Sequence, residues 1–523
     1  VDELTSGLSV PADTTARHRH AHRISMTKGS TMAIALSLAT LSGLPEPVSR
    51  PGYDRAGLRP GILHVGVGNF HRAHMAWYLD RLFESGEGQD WALVGAGVRA
   101  GDAAMRDRLS AQDWLTTVVE LDPKGLSARI TGAMIDFVGV DPQAVISAMA
   151  DPAIRIVSLT ITEGGYYVDA KTDGFDAAHP DMLHDAANPD APQSVFGMIL
   201  AALRRRRATG QAPFTVLSCD NLPENGHVCA RTVTGLAQLS DPALADWLRE
   251  NVAFPNSMVD CITPATSDRE RALIRDRFGI EDAAPVVCEP FRQWVLEDNF
   301  PQGRPPLERV GAEFVADVGR HELMKLRILN GGHAAIAYPS ALLGHHFVHD
   351  AMADPQIEAW LRALETREII PTLQPIPGVD YGDYLELIVS RFANPEIGDT
   401  IQRLCLDGSN RQPKFILPTL ADALGDDRAI DGLAQEVAFW CRYCERTDEA
   451  GREIAPNDDN SDGLRAYALA SRDDPLAFLG NRTAFGALAD NPRFQQAFAG
   501  KLRLIHEQGV RAAIAAYLSA PAA

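Results

Sequence analysis

Gly61-Ile62-Leu63-His64-Val65-Gly66-Val67-Gly68 is an apolar run that stops on two glycines one residue apart. A run of that length and character reads as a strand buried on both faces, and the glycines permit a sharp turn at its end. A helical pattern follows through Ala73-His74-Met75-Ala76-Trp77-Tyr78-Leu79-Asp80-Arg81-Leu82-Phe83 and closes near Gly86. A second apolar strand, Trp91-Ala92-Leu93-Val94-Gly95-Ala96-Gly97-Val98, comes next. Strand, glycine turn, helix, strand is the βαβ unit of a parallel sheet. Residues 154–161 and 214–220 read as two more buried strands, and the alternating stretches 115–121 and 128–138 as additional antiparallel ones. From about residue 316 the period becomes helical, at 356–367, 401–406, 430–444, 462–470 and 492–506. The expected α/β architecture has three parts. Residues 1–49 are a tail, disordered or an over-extended start. Residues 50–315 form a Rossmann-type dinucleotide-binding domain with an extended mixed sheet. Residues 316–523 form a mostly α-helical substrate and catalytic domain.

Net charge is −20, from 49 basic and 69 acidic side chains, which argues against nucleic acid or an anionic membrane as partner. No run of eighteen apolar residues is present, so no membrane span is expected. Seven cysteines scattered over 523 residues do not make a secreted disulfide framework, and a cytoplasmic location is expected. Residues 1–31 are polar, with the patch Arg17-His18-Arg19-His20-Ala21-His22-Arg23 read as a solvated cluster, and Met26 or Met32 is the expected start.

Met324-Lys325-Leu326-Arg327-Ile328-Leu329-Asn330-Gly331-Gly332-His333 carries the chemistry. Lysine, asparagine and histidine stand at i, i+5 and i+8, a spacing that puts all three on one broad side of an α-helix. Their apolar neighbours place the trio in a partly buried site. A buried lysine sheds its charge easily and can then serve as a general base, while carboxamide and imidazole can hydrogen-bond a developing alkoxide.

Gly66-x-Gly68 sits between a strand and a helix, the context in which such a pair lets a pyrophosphate approach the backbone. The third glycine of the usual fingerprint is missing, because position 71 is histidine. Asp102, beyond the second strand, is the expected partner of a ribose 2′-hydroxyl, which favours NAD over NADP. Arg99 beside it pulls toward NADP. Isolated metal-ligand pairs read otherwise: Cys441 and Cys444 as buried helix thiols, His345 and His346 as helix surface or core, and His71 and His74 as structural or at the cofactor edge. No metal site is expected.

Four segments, Gly66 to His74, Thr160 to Tyr166, Ser218 to Gly226 and Lys325-x4-Asn330-x2-His333, occur in this order, with Cys288 to Asp298 as a fifth. Together they resemble the polyol-specific long-chain dehydrogenases, and the mannitol branch above all, over roughly residues 50 to 520. The resemblance implies a metal-independent, often monomeric NAD(P) enzyme that interconverts a sugar alcohol and a ketose, with D-mannitol and D-fructose the expected pair. It assigns Lys325 as acid–base residue and Asn221 and Asn330 as donors to the reacting oxygen. His333 then positions substrate, and Glu322 gates a proton path. Asp260, Arg403 and Arg411 become substrate-hydroxyl contacts, and Gly66, Gly68, Phe70, Arg72 and Asp102 the cofactor contacts. Two positions depart from the family pattern. Arg411 stands where lysine is usual, and Gly101 replaces an acid. The alternatives are a fructuronate (mannonate) oxidoreductase, whose carboxylate Arg411 could grip, a D-arabinitol dehydrogenase, and a non-catalytic nucleotide-binding sensor.

Overall fold

The computed structural model describes residues 33–169, 172 and 174–521. The His-Arg patch at 17–23 and both expected start methionines lie outside the described residues.

Five strands build the main sheet: β1 (Pro60–Val65), β2 (Ala92–Ala96), β3 (Met134–Phe137), β4 (Ile156–Leu159) and β5 (Thr215–Ser218). They run parallel in the order β3-β2-β1-β4-β5, with Leu63 of β1 set between Val94 and Val157. Burial on both faces explains why these strands read as unbroken apolar runs rather than alternating ones. The order reverses between β1 and β4, so a crevice opens beyond their carboxyl ends, where doubly wound sheets bind ligands. Gly66 occupies that point. Its φ is 94°, and a β-carbon there would come within 2.0 Å of the Thr160 carbonyl oxygen. Only glycine fits.

The helical pattern after Gly68 is divided at His74 into α1 (Asn69–Ala73) and α2 (Met75–Glu84). The break has a cause: the Ala73 carbonyl accepts from Arg292 Nε at 2.7 Å, and His74 Nε2 bonds the Gln293 carbonyl at 3.0 Å. Beyond β2, α3 (Ala100–Ser110) begins the return crossover. The stretch 128–138 also divides. Ser127–Thr131 pairs antiparallel with Thr116–Glu120 as expected, whereas 134–137 enters the main sheet in parallel as β3. Gly132 diverts the chain, its N–H donating to Asp80 and its carbonyl accepting from Arg55. The mixed pairings lie in two separate three-stranded sheets beside the parallel one. In one, Val286–Cys288 joins Thr116–Glu120. In the other, Ser257–Asp260 lies antiparallel to Gln293–Glu297, which pairs in parallel with Glu313–Val315.

The tail expected over 1–49 is corrected at its C-terminal part. Ile34–Ala35 pairs in parallel with Ile280–Glu281, and Leu36, Leu44 and Val48 are buried against Ile274 and Phe278. A two-residue strand carries too little pattern to be read without its partner.

The C-terminal region is helical. α4 (Gly319–Met324) runs through a π-helical turn, Lys325–Asn330, into α5 (Gly331–Leu342). α6 (Pro355–Leu364) is tied to α5 by Trp360, whose indole N–H donates to the Ala335 carbonyl at 2.9 Å. α7 (Tyr381–Phe392) follows, and α8 (Asp431–Cys444) is buried along nearly its whole length, so it forms the axis of this core. α9 (Pro492–Ser519) extends past the expected 492–506 by bending at Gly509, whose φ is 84°. Among the described residues, no helix is long and apolar enough to cross a membrane.

Candidate active site

The π-helical turn is the first cause of the site's geometry. Widening the hydrogen-bond period to i→i+5 turns the chain less at each residue, so Asn330 swings closer to the face of Lys325 than α-helical spacing would put it. Lys325 is 9% exposed, and its Nζ donates to Asn221 Oδ1 at 2.7 Å and to the Val259 carbonyl at 2.6 Å. Burial pushes the amine below its ordinary range. Asp260 opposes that shift, and Arg391 adds to it. No carboxylate makes an ion pair with this nitrogen among the described residues.

Asn221 comes from the loop after β5, and that loop is held by its neighbours. The Asp220 carboxylate accepts from the Ile161 and Thr162 N–H groups at 2.9 and 3.0 Å and from the Tyr166 hydroxyl at 2.5 Å. Thus two of the quoted segments meet and fix each other. Asn225, the first residue of the helix that follows this loop, exchanges hydrogen bonds with the Ser257 backbone at 2.7 and 2.9 Å. With its Oδ1 taken by Lys325, Asn221 keeps its amide hydrogens for another acceptor. The Asn330 carboxamide makes no side-chain hydrogen bond among the described residues and is half-buried. The Asn221 carboxamide therefore adjoins the Lys325 amine, and that of Asn330 comes from the same π-helical turn.

Asp260 requires a correction. The resemblance sets it against substrate, but both its oxygens are held by Arg391, at 2.7 and 2.9 Å, and it is 5% exposed. Arg391 also donates to both oxygens of Glu289, at 2.7 and 2.8 Å. The result is a buried carboxylate–guanidinium–carboxylate triad beneath Lys325, which links the Rossmann region to α7. Sequence reasoning misses Arg391 altogether. Its two partners lie 131 and 102 residues away, and nothing local to α7 marks it out from other helix arginines.

His333 stacks on Phe392 with ring centroids 4.1 Å apart. Burial and the guanidinium groups of Arg403, Arg391 and Arg411 hold its imidazole well below the usual range, so it is neutral and can both donate and accept. Arg403 is exposed and paired with Asp399 through Nε and Nη2. Arg411 donates one arm to the Arg403 and Leu404 carbonyls, at 3.2 and 3.1 Å, and has no acidic partner among the described residues. Both arginines stand at the rim by His333.

Glu322, one turn before Lys325, is half-buried. One oxygen accepts from the Glu224 N–H at 3.2 Å, and the other is buried with no hydrogen-bond partner among the described residues. Burial raises its carboxyl to about 7. A group poised there can hold or release a proton near neutrality.

The expected cofactor residues divide into two kinds. Gly68 is exposed, and a β-carbon on it would meet nothing nearer than 3.9 Å, so its backbone is open to an approaching group. Asp102 stands at the start of α3, past the end of β2. One of its oxygens accepts from the Val98 and Arg99 N–H groups at 2.8 and 2.9 Å, leaving the other without a hydrogen bond among the described residues. Arg72 is corrected: it is 2% exposed and binds the Gly68 carbonyl, Asn69 Oδ1 and the Ala284 carbonyl. It pins the glycine loop from behind rather than reaching the crevice. Phe70 is half-buried and stacks on His74 at 4.8 Å. His71 stacks on His64 at 3.4 Å, within the core behind the loop. Among the described residues, no three His, Cys, Asp or Glu side chains are gathered to hold an ion, and all seven cysteines are free and buried.

Residues 60–309 match the family model of the mannitol dehydrogenase Rossmann domain, and residues 317–506 that of the mannitol dehydrogenase C-terminal domain. The chain is similar to mannitol 2-dehydrogenase from Cereibacter sphaeroides, at 55% identity over 479 residues, covering 91% of this chain and all of that one. It is similar in structure to the Pseudomonas fluorescens mannitol 2-dehydrogenase ternary complex with NAD and D-mannitol. Identity there is 42% and the TM-score 0.82, with 93% of this chain and 100% of that one covered. A D-sorbitol dehydrogenase in substrate-free form matches with 38% identity and a TM-score of 0.86, covering 92% and 100%.

Proposed function

The chain belongs to the mannitol dehydrogenase family, and from that premise we propose that it interconverts D-mannitol and D-fructose with NAD, using Lys325 as the acid–base group. It is an oxidoreductase. The observation that carries the reading is the Lys325 amine, buried, without an ion pair among the described residues, and hydrogen-bonded to Asn221 and the Val259 carbonyl.

When bound, NAD supplies the hydride acceptor. The exposed backbone at Gly68 and the tight turn at Gly66 fit its pyrophosphate, and the second oxygen of Asp102 fits a ribose hydroxyl. In the oxidising direction neutral Lys325 takes the proton from the secondary alcohol. The Asn221 and Asn330 amide groups donate to the oxygen as charge develops on it, an arrangement that costs no reorganisation at the moment of reaction. Neutral His333 and the rim guanidinium groups of Arg403 and Arg411 orient the remaining hydroxyls. Glu322 receives the proton from Lys325 and passes it outward. A cytoplasmic, monomeric enzyme of a small polyol is the wider reading.

A spectrophotometric panel of NAD and NADP against mannitol, arabinitol, sorbitol and mannonate tests this function. Reduced-nicotinamide absorbance should be strongest with mannitol and NAD. Faster oxidation of mannonate would place a carboxylate on Arg411 instead, and no absorbance with any pair would leave a nucleotide sensor.

The Glu322 carboxyl gives a pH prediction. Below about 7 it is protonated and cannot accept the proton from Lys325, so oxidation rises as pH climbs through that value and reduction falls. Glu322→Gln should erase this limb from the kcat profile and leave the one set by Lys325. An unchanged profile would remove Glu322 from the proton path.

A further inference from the structure

We propose, resting on the NAD reading above, that Thr162 is a further cofactor-binding residue. Its hydroxyl takes the ribose on the nicotinamide side of the nucleotide, and a strained backbone presents it. Thr162 has φ 68° and ψ 155°. That region is open to glycine and unfavourable for any residue with a β-carbon, a β-branched one most of all. The fold makes no use of the side chain in exchange. It is exposed, and its hydroxyl makes no hydrogen bond among the described residues. Glycine would sit at this point unstrained, yet the chain carries glycine at 164 and 165 and threonine at 162. Strain of this kind gathers at ligand clamps, and it lies here in the crevice beyond the end of β4.

Such a conformation persists only where the surroundings impose it. Ahead of Thr162, the Thr160 N–H donates to the Val65 carbonyl at 3.0 Å, and the Thr160 hydroxyl donates to the Gly66 carbonyl at 2.6 Å. The Asp220 carboxylate takes the Ile161 and Thr162 N–H groups at 2.9 and 3.0 Å. Behind it, the Gly165 N–H donates to the Thr162 carbonyl at 2.9 Å. Tyr166 is fully buried, donates its hydroxyl to Asp220 at 2.5 Å, and accepts on its carbonyl from Thr232 at 2.8 Å. The chain is thus fastened on both sides of residue 162. Relaxing the turn would break bonds to the glycine loop and to the loop after β5 together.

The same bonds say which part of the nucleotide is met. With the adenosine ribose at Asp102, past β2, and the pyrophosphate at Gly66–Gly68, the nicotinamide half extends to the β4–β5 side of the sheet. Lys325 and Asn221 stand on that side, where hydride must leave the alcohol. Thr162 lies between the two: Thr160 is bonded to Gly66, and Asp220, which holds Thr162, directly precedes Asn221. A hydroxyl there can donate to a ribose oxygen or accept from a ribose hydroxyl.

Three variants of the full chain separate the hydroxyl from the strain, read by NADH fluorescence titration, ADP titration calorimetry and melting of the nucleotide-free protein. Thr162→Val keeps the β-branched backbone and loses the hydroxyl. It should bind NADH about 3- to 10-fold more weakly, the net worth of one hydrogen bond, with Tm unchanged. Thr162→Gly should weaken NADH by a like factor and raise Tm by about 2–4 °C, because glycine relieves the backbone. Thr162→Ser keeps the hydroxyl and should bind NADH as the unmodified chain does. ADP, which lacks the nicotinamide half, should bind all three alike. Undiminished NADH binding by Thr162→Val, a parallel loss for ADP, or a Tm of Thr162→Gly that does not rise would each overturn the proposal. Those results judge Thr162 alone when the unmodified chain binds NADH and ADP; binding of neither would bring down the NAD reading as well.

Discussion

Lys325→Ala should lower turnover in both directions by about 10² to 10⁴, the usual cost of removing a positioned acid–base group. Nucleotide binding should persist, because the residues of the Gly66–Gly68 crevice lie on the Rossmann sheet and make no hydrogen bond to Lys325. The variant should also fold. It removes one buried amine and frees two acceptors, Asn221 Oδ1 and the Val259 carbonyl, which water in the vacated space can satisfy. The informative readout is the split between steps: full NADH affinity by fluorescence titration beside a large loss in kcat. A variant that kept near-normal turnover would dismiss Lys325 from the chemistry, and one that lost nucleotide binding in equal measure would make its role structural.

Arg391→Met should be the most damaging substitution for stability near the site. Arg391 satisfies four carboxylate oxygens at 2.7 to 2.9 Å, and all three side chains of the triad are buried. Removing one member of a buried ion pair typically costs about 3–5 kcal/mol, because the remaining charge has no water to turn to. Here two carboxylates are left facing each other. One or both must take up a proton, so the loss should be largest at high pH and smaller in acid. Activity should change in a way that simple unfolding cannot mimic. With the guanidinium gone, the charge that helps hold the Lys325 amine down is lost, and the amine rises back toward its ordinary range wherever Asp260 keeps its charge. The alkaline limb of mannitol oxidation should therefore move to higher pH in whatever fraction stays folded. Equilibrium denaturation at two pH values and a pH–rate profile on folded protein check the pair of effects. A stability change under about 1 kcal/mol, the scale of an exposed ion pair, would contradict the triad's burial.

The sequence reveals the frame more readily than its supports. Apolar runs at β1, β2, β4 and β5 are legible because strands buried on both faces carry no ambiguity of side. Gly66 is legible because its turn tolerates nothing larger. β3 reads as antiparallel because an alternating run extends through Gly132, and only the tertiary contacts of Asp80 and Arg55 show the chain turning there. Helical spacing picks out the trio Lys325, Asn330 and His333, yet its actual spacing is set by a π-helical turn that composition does not announce. The family resemblance makes Asp260 a substrate contact. The arginine that occupies it arrives from α7, far along the chain. Arg72 misleads in the same way, its cationic charge turned inward to carbonyls behind the loop. Both side chains stand close to the site, and the direction of each is set by partners distant in sequence.

Lys325 can be observed directly. The chain has only six lysines, Lys28, Lys124, Lys171, Lys325, Lys414 and Lys501, so lysine labelled with nitrogen-15 gives a countable set of side-chain signals. A pH titration by nuclear magnetic resonance, with Lys325→Met to identify the missing signal, reads the protonation of the buried amine. One signal titrating well below the ordinary lysine value of about 10.4, and lost in that variant, is the expected result. Six signals all titrating near that value would show the amine to be charged at neutral pH and would contradict its role as the base.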